Sequence, residues 1–161
     1  MNQEFYFVIN EKMKYPEFPY NSSQEYLEFN NFGKIFELDN YPNYVYESIR
    51  NLFIQAKYDK ENLDTKGWNP FRGLIYDGQR VVIKPNFVKE KNNDNDTDCI
   101  TTHLSVIRPI IDYLILLKKQ DNLKFEITIC DVPLQSTDMN KLLSQNRLTE
   151  LLEYYKDGRK S

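Results

Sequence analysis

Two apolar runs in the chain each end in a charged residue that a buried strand would not place in its core. Val81-Val82-Ile83 is followed by Lys84, and Ile127-Thr128-Ile129-Cys130 is followed by Asp131. Neighbouring parallel strands end at one edge of a sheet, where α/β proteins bind ligands. An ammonium there suits a phosphate or carboxylate, and an aspartate suits a sugar hydroxyl or, through water, a divalent cation. The pattern predicts a site at this edge.

Between the two runs, Thr101-Thr102-His103 precedes a helical pattern. Free N–H groups at a helix N-terminus attract anions, and Thr101 and Thr102 add two hydroxyls. Thr102 alone would also make an ordinary N-cap. His103 is the only histidine of the chain, so it is the candidate for imidazole proton transfer. A histidine in a first turn is more often structural or solvated, and both interpretations stay open.

Other polar residues follow the strand ends. Asn86 lies in the loop after Lys84, and Gln135 and Ser136 lie in the loop after Asp131. We interpret all three as candidate ligand-binding residues. The alternatives are that Lys84 reaches solvent or pairs with an acid, and that Asp131 caps the following turn. Ser136 or Thr137 would equally serve as the cap of the last helix.

The elements that would hold these residues follow an α/β pattern. Residues 80–84 and 124–131 are predicted strands, and residues 103–118 are the buried helix between them, which together make a right-handed parallel unit. Pro109 predicts either a kink in this helix or a start near Arg108. The continuously apolar first run predicts a strand covered on both faces, with helices packed on the sheet.

Two more helices are predicted around this unit. One covers residues 42–57, with Pro42 in its first turn, and the other covers residues 138–155. We place an α/β domain at 41–161. A short strand over 4–9, a second strand over 33–38 and an aromatic-rich irregular arm make up residues 1–40. At 161 residues the chain is one domain overall. Since two strands cannot cover two faces, either the N-terminal strands join them or a larger chain or partner completes the sheet.

The loop at 89–98 is highly polar and predicts a mobile lid or a disordered insertion. Cys130 closes an apolar run and is predicted to be a buried thiol, whereas Cys99 lies in the polar loop. The two cysteines show no metal or redox spacing, so no iron–sulfur cluster, structural zinc or disulfide is expected. The five glycines do not cluster, so a phosphate loop is unsupported.

Composition narrows the class of protein. The net charge is −3, which argues against a general nucleic-acid binder. No apolar stretch is long enough to span a bilayer, and the N-terminus lacks the pattern of a signal peptide, so we expect a cytoplasmic protein.

Several of these segments together resemble the bacterial family called "domain of unknown function 362". The resemblance covers roughly residues 42–155. It is carried by these segments: Asn69-Pro70, Val82-Ile83-Lys84-Pro85-Asn86-Phe87-Val88, Ile100-Thr101-Thr102-His103, Ser105-Val106-Ile107-Arg108 and Ile129-Cys130-Asp131-Val132-Pro133-Leu134-Gln135-Ser136.

The resemblance implies a cytoplasmic α/β domain in which Lys84, Asn86, Thr102, His103 and Asp131 are the family-typical polar positions. It also implies a link to surface-polysaccharide gene clusters, and so to sugar-phosphate or sugar-nucleotide chemistry. Some relatives carry a ferredoxin-like module with cysteine clusters, which this chain lacks. Family members are usually longer, with further α/β units after the segment at 135–136, so the α/β fold of this chain is expected to be incomplete.

The leading hypothesis is an α/β protein that binds a phosphorylated or carboxylated small molecule. Lys84 would bind the anion, the Thr101–His103 helix start would complete the cradle, and Asp131 would hold a hydroxyl or Mg²⁺. A homo-oligomer or a partner protein would complete the sheet. The alternative is a truncated, non-catalytic fragment or partner-binding subunit that keeps the motifs without using them.

Overall fold

The computed structural model describes residues 4–32, 35–90 and 101–157. It has the α/β architecture expected from the sequence. The strands and helices, in chain order, are β1 (Ser22–Ser23), β2 (Leu38–Asp39), α1 (Tyr44–Gln55), β3 (Arg80–Ile83), α2 (Leu104–Gln120), β4 (Glu126–Ile129), α3 (Met139–Gln145) and α4 (Leu148–Asp157). Short 3₁₀ turns lie at Leu27–Phe32 and Lys60–Asn62.

The central unit is β3–α2–β4, with the two strands parallel as predicted. Arg80 lies opposite Glu126, and Ile83 lies opposite Ile129. Val81 and Ile127 pack, with Ile83, against the Leu114 and Leu117 face of α2. Because side chains alternate between the two faces of a strand, these three residues lie on the same face of the sheet. Helix α2 covers that face.

In the described part of the chain the opposite face of the β3–β4 pair is exposed, so the prediction that both faces are covered is wrong. Val82 points to this face and its side chain is 54% exposed. Cys130 is exposed as well, which corrects the prediction of a buried thiol. The reason is the two-residue alternation, because Glu126, Thr128 and Cys130 all fall on the uncovered side.

The strand predicted over residues 4–9 is absent, and most of that segment is exposed. A strand needs a hydrogen-bonding neighbour, and no described segment pairs with it. β1 and β2 instead form a separate two-stranded parallel pair, so the N-terminal strands do not join β3 and β4. Of the second strand predicted at 33–38, only Leu38 is in a strand, β2; residues 35–37 are not in a strand, so the prediction is wrong there, and residues 33 and 34 lie outside the described residues.

The aromatic arm contributes to the main core. Phe29 and Phe36 pack with Tyr46 of α1, with Trp68 of the loop between α1 and β3, and with Tyr113 of α2. The loop between α1 and β3 is mostly irregular, as expected, and it is fixed by this cluster. The arm has little regular structure, but its rings belong to a cluster of five buried aromatic side chains, which gives it a large apolar contact area.

Helix starts differ from the predictions by one or two residues. Asn43 caps α1 by accepting from the Tyr46 N–H, so Pro42 lies outside the helix and not in its first turn. His103, and not Thr102, caps α2. Pro109 lies inside α2, so the alternative that this helix begins near Arg108 is wrong.

The helix predicted over 138–155 is two helices. Arg147 takes a left-handed backbone conformation with φ of 57°, which ends α3 before α4 begins. Asp138 caps α3 by accepting from the Lys141 N–H at 3.1 Å, so neither Ser136 nor Thr137 is the cap. The break turns α4 so that Leu151 and Tyr155 reach the α2 core.

Candidate functional site

Lys84 and Asp131 meet at the carboxyl ends of β3 and β4. The Lys84 Nζ lies 2.8 Å from Asp131 Oδ1, and the two side chains are 63% and 8% exposed. Each residue comes shortly after the last residue of its strand, so the parallel register brings the two ends together. The ammonium is therefore open to solvent while its carboxylate partner is covered.

Asp131 is held by the backbone of the loop after β3 as well as by Lys84. The Phe87 N–H donates to Asp131 Oδ2 at 2.6 Å. The Lys84 ammonium, followed by this N–H and that of Val132, holds the pKa of Asp131 below its ordinary value. Both carboxylate oxygens thus accept hydrogen bonds within the protein, and the aspartate fixes the position of Lys84 and of the Phe87 turn.

Thr101 and Thr102 join the helix start to the same loop. Asn86 N–H donates to Thr102 Oγ1 at 3.0 Å, and Thr102 N–H donates to Asn86 O at 2.8 Å. Thr101 is buried and its hydroxyl donates to Lys89 O at 3.0 Å. Phe87 and Thr101 form an antiparallel bridge. These contacts join Thr101 and Thr102 to the loop that follows Lys84, and Asn86 of that loop is exposed.

His103 has capping and stacking contacts. Its Nδ1 accepts from the Ser105 N–H at 3.3 Å and lies 2.8 Å from Ser105 Oγ. Its ring stacks on Tyr15 with centroids 4.2 Å apart and meets Tyr20 edge-on at 5.4 Å. An Nδ1 that accepts a hydrogen bond leaves the ring proton on Nε2. Ser105 is fully buried, so this histidine–serine contact does not present a hydroxyl to a substrate.

Gln135 and Ser136 are exposed in the loop after β4. Their neighbours fix this loop, because Leu134 N–H and Thr137 Oγ1 both donate to Val88 O, at 3.1 and 3.2 Å. Among the contacts of the described residues, neither Gln135 nor Ser136 reaches Lys84. The structure thus joins Lys84 to Asp131 and joins Asn86 to Thr102, with Gln135 and Ser136 on an adjoining loop. The ligand-binding roles of these residues stay predictions.

The predicted lid at 89–98 lies mostly outside the described residues, as does Cys99. Its first two residues are described, and Glu90 Oε2 accepts from the Asp138 N–H at 3.2 Å. Within the described parts of the chain, no three histidine, cysteine, aspartate or glutamate side chains are grouped as metal ligands. Mg²⁺ binding at Asp131, directly or through water, stays a prediction.

A buried charge network was not anticipated from the sequence. Arg108 and Asp112 are both fully buried, and Arg108 Nε lies 2.9 Å from Asp112 Oδ2. The hydroxyls of Tyr155 and Tyr46 donate to Asp112 at 2.6 and 3.2 Å. Arg108 also donates to Pro19 O at 3.1 Å. The only signal in the sequence was an arginine and an aspartate four residues apart within an apolar helix.

This network is structural. Burial raises the pKa of Asp112, and the Arg108 guanidinium and the two phenols oppose that rise. The Arg108 guanidinium also lies over the Tyr154 ring, 4.0 Å from its centroid. The network therefore joins α1, α2, α4 and the N-terminal arm in the core.

The comparisons with known proteins bear on the region that holds this site. The model of the family described as "Domain of unknown function (DUF362)" matches residues 81–157. Residues 81–157 are therefore similar to that family. The resemblance read from the strand and helix motifs is thereby confirmed from Val81 onward, whereas Asn69-Pro70 lies outside the matched region. Every candidate site residue, from Lys84 to Ser136, lies inside it.

No curated protein and no solved structure matches the chain. The helices within residues 4–32, 35–90 and 101–157 include none with the length and apolar character needed to cross a bilayer.

Proposed function

We propose that this protein binds a phosphorylated or carboxylated small molecule at the carboxyl ends of β3 and β4, with Lys84 as the anion-binding residue. The observation that carries the proposal is the Lys84–Asp131 pair. An ammonium has three N–H donors. One is directed to Asp131, and the exposure of the side chain leaves the others accessible to a ligand.

Lys84 is positioned before a ligand arrives. Pro85 restricts the backbone of Lys84 to extended conformations. Asp131 is itself fixed by the Phe87 N–H, so the ammonium is held at one place. A side chain that is already ordered loses less conformational entropy on binding, which favours affinity.

The other end of the same two strands provides a comparison. Arg80 and Glu126 also pair across β3 and β4, at 2.9 Å, but both side chains are 70% exposed. Such a pair is typical of a solvated surface contact. The Lys84–Asp131 pair differs because its acid is covered and accepts from a backbone N–H. It also lies at the carboxyl ends of the strands, where parallel sheets bind ligands.

The surrounding residues support a polar ligand with hydroxyl groups. Exposed Asn86, two residues after Lys84, offers an amide donor and acceptor, and Gln135 and Ser136 offer polar groups on the adjoining loop. Lysine suits phosphate as a point charge. A sugar phosphate or sugar nucleotide of surface-polysaccharide synthesis would fit this chemistry, and the family resemblance favours it.

A second candidate function is that of a partner-binding subunit. The open edge of β4 favours it, since β4 has a strand on one side only within the described residues. This edge lies apart from Lys84, so both functions can be tested separately.

Thermal unfolding with a ligand panel tests the anion proposal. The panel holds inorganic phosphate, citrate, a sugar phosphate and a sugar nucleotide. A ligand that binds only the native state raises the melting temperature by mass action. We expect a rise for at least one phosphate, lost in Lys84→Ala and Lys84→Gln and kept in Arg80→Ala. Equal rises in all variants, or none in the native chain, would contradict the proposal.

A further inference from the structure

The outer edge of β4 carries backbone groups that no described strand pairs. Glu126 N–H and Cys130 N–H donate to Gln79 O and Ile83 O, at 2.9 and 3.1 Å. Because alternate residues of a strand bond to opposite sides, the amides of Ile127 and Ile129 point away from β3. Within residues 4–32, 35–90 and 101–157 no backbone hydrogen bond reaches those two amides. This edge is able to accept another strand.

A groove of about 1280 Å³ runs along this edge. Its lining contains every residue of β4 but only Arg80 of β3, so the groove lies on the side of β4 away from β3. Ile115 of α2 and Leu152 and Tyr155 of α4 line it as well. A strand added to β4 would therefore place alternate side chains against apolar groups of the two helices.

The charge around the groove is strongly positive. Five basic side chains line it, against a single acid, Glu126, which is paired with Arg80. Lys119, Lys124 and Lys156 are among the five and are exposed. The chain as a whole has a net charge of −3, so the positive charge is local to this surface. Such a rim selects an acidic occupant.

We propose that the β4 edge binds an extended acidic segment of a partner protein by strand addition. The segment would alternate apolar residues, which face α2 and α4, with aspartate or glutamate near the lysines. Main-chain hydrogen bonds to Ile127 and Ile129 would supply affinity, and the rim would supply selectivity. A second copy of this chain is a poorer occupant, because edge-to-edge pairing would bring two basic rims together. The proposal uses residues separate from Lys84.

A labelled peptide that alternates valine with glutamate is the probe, and fluorescence anisotropy measures its binding to the whole chain. A peptide with lysine in place of glutamate is the charge control. Ile127→Pro removes one outward N–H without removing a β3–β4 hydrogen bond, since proline is tolerated on an open edge. Ile127→Ala is its matched control, because it loses the same side-chain packing and keeps the amide. Thermal unfolding confirms that both variants fold.

We expect the glutamate peptide to bind, and the lysine peptide to bind roughly tenfold more weakly or not at all. Ile127→Pro should weaken binding by about the same factor relative to Ile127→Ala, and so should Lys124→Glu with Lys156→Glu. Absence of peptide binding, or equal binding to the proline and alanine variants, would overturn the proposal. A dimer in sedimentation that Ile127→Pro abolishes would also overturn it, by identifying a second copy as the occupant.

Discussion

Asp131 Oδ1 lies 2.8 Å from the Lys84 Nζ, and its Oδ2 accepts from the Phe87 N–H at 2.6 Å. One carboxylate at the end of β4 therefore fixes both the cation and the turn that follow β3. The position of the Lys84 ammonium depends on Asp131, whose side chain is nearly buried, whereas the Lys84 side chain is exposed. Asp131 is thus a positioning residue in the proposed site, and Lys84 is the residue that contacts the ligand.

Asp131→Asn should weaken anion binding although the ammonium remains. Loss of the charged acceptor frees Lys84 to adopt other rotamers, and we expect the affinity for the bound phosphate to fall by roughly tenfold. Isothermal titration with the ligand selected from the panel measures this. Glu126→Gln is the matched control at the other end of the strands and should leave affinity unchanged. Equal losses in both variants would contradict a specific role of Asp131 in positioning Lys84, since removing a carboxylate by itself favours anion binding.

The Asp131 pair should make stability depend on pH in the acid range. Its pKa is lowered in the folded state, so the folded protein binds this proton less readily than the unfolded chain. The stabilisation is therefore complete above the unfolded pKa of about 3.9 and is lost as the pH falls through the lower folded value. Carboxyl NMR titration gives the folded value directly. A midpoint at or above about 3.9 would contradict the account.

Removing the buried acid Asp112 should destabilise the protein severely. Asp112→Ala leaves the Arg108 guanidinium buried without its partner, and we expect a loss of about 3–5 kcal/mol in the free energy of unfolding. Urea unfolding measures the change. Asp121→Ala removes one of the two acidic partners of Arg72, just after the end of the same helix. It should cost about 0–1 kcal/mol. Similar losses for the two variants would show that burial does not govern the contribution of Asp112.

Arg50 should control both the stability of the arm and the fluorescence of the single tryptophan. Its guanidinium lies 4.7 Å from the Trp68 ring centroid, and it pairs with buried Glu28 at 2.9 Å. Arg50→Ala should shift the Trp68 emission in native buffer and lower stability by about 3 kcal/mol, since Glu28 is left unpaired. Arg147→Ala removes an exposed pair and should leave the emission unchanged. An unaltered spectrum in Arg50→Ala would contradict this contact.

The sequence predicted the parts of the fold that depend on interactions between residues close together in the chain. The strand–helix–strand unit followed from period and length, and the meeting of Lys84 with Asp131 followed from the rule that parallel strands end at one edge. The uncovered face did not follow, because Val81-Val82-Ile83 has the same apolar run whether one or two faces are buried. Coverage depends on which helices pack there, and that is a property of the whole chain.

The features that the sequence did not predict depend on contacts between distant segments, or on residue types that are uncommon as helix caps or at helix ends. The Asp112 network brings in Tyr46, Tyr155 and Pro19 from distant segments, and only the Arg108–Asp112 spacing is visible in the sequence. His103 is the cap of α2, and Thr102 Oγ1 instead accepts from the Asn86 N–H, a contact between distant segments. The break at Arg147 carries no glycine or proline, and the local signal of a helix end was Asn146, the C-cap of α3.

The most direct test of the proposed site follows the Lys84 side-chain and Phe87 amide signals by NMR. Inorganic phosphate and then a sugar nucleotide are titrated into the labelled chain. The account predicts saturable shifts at Lys84 and Phe87, and their loss in Asp131→Asn. Shifts confined to Lys119, Lys124 and Lys156, or no saturable shift at Lys84, would contradict an anion site at the ends of the strands.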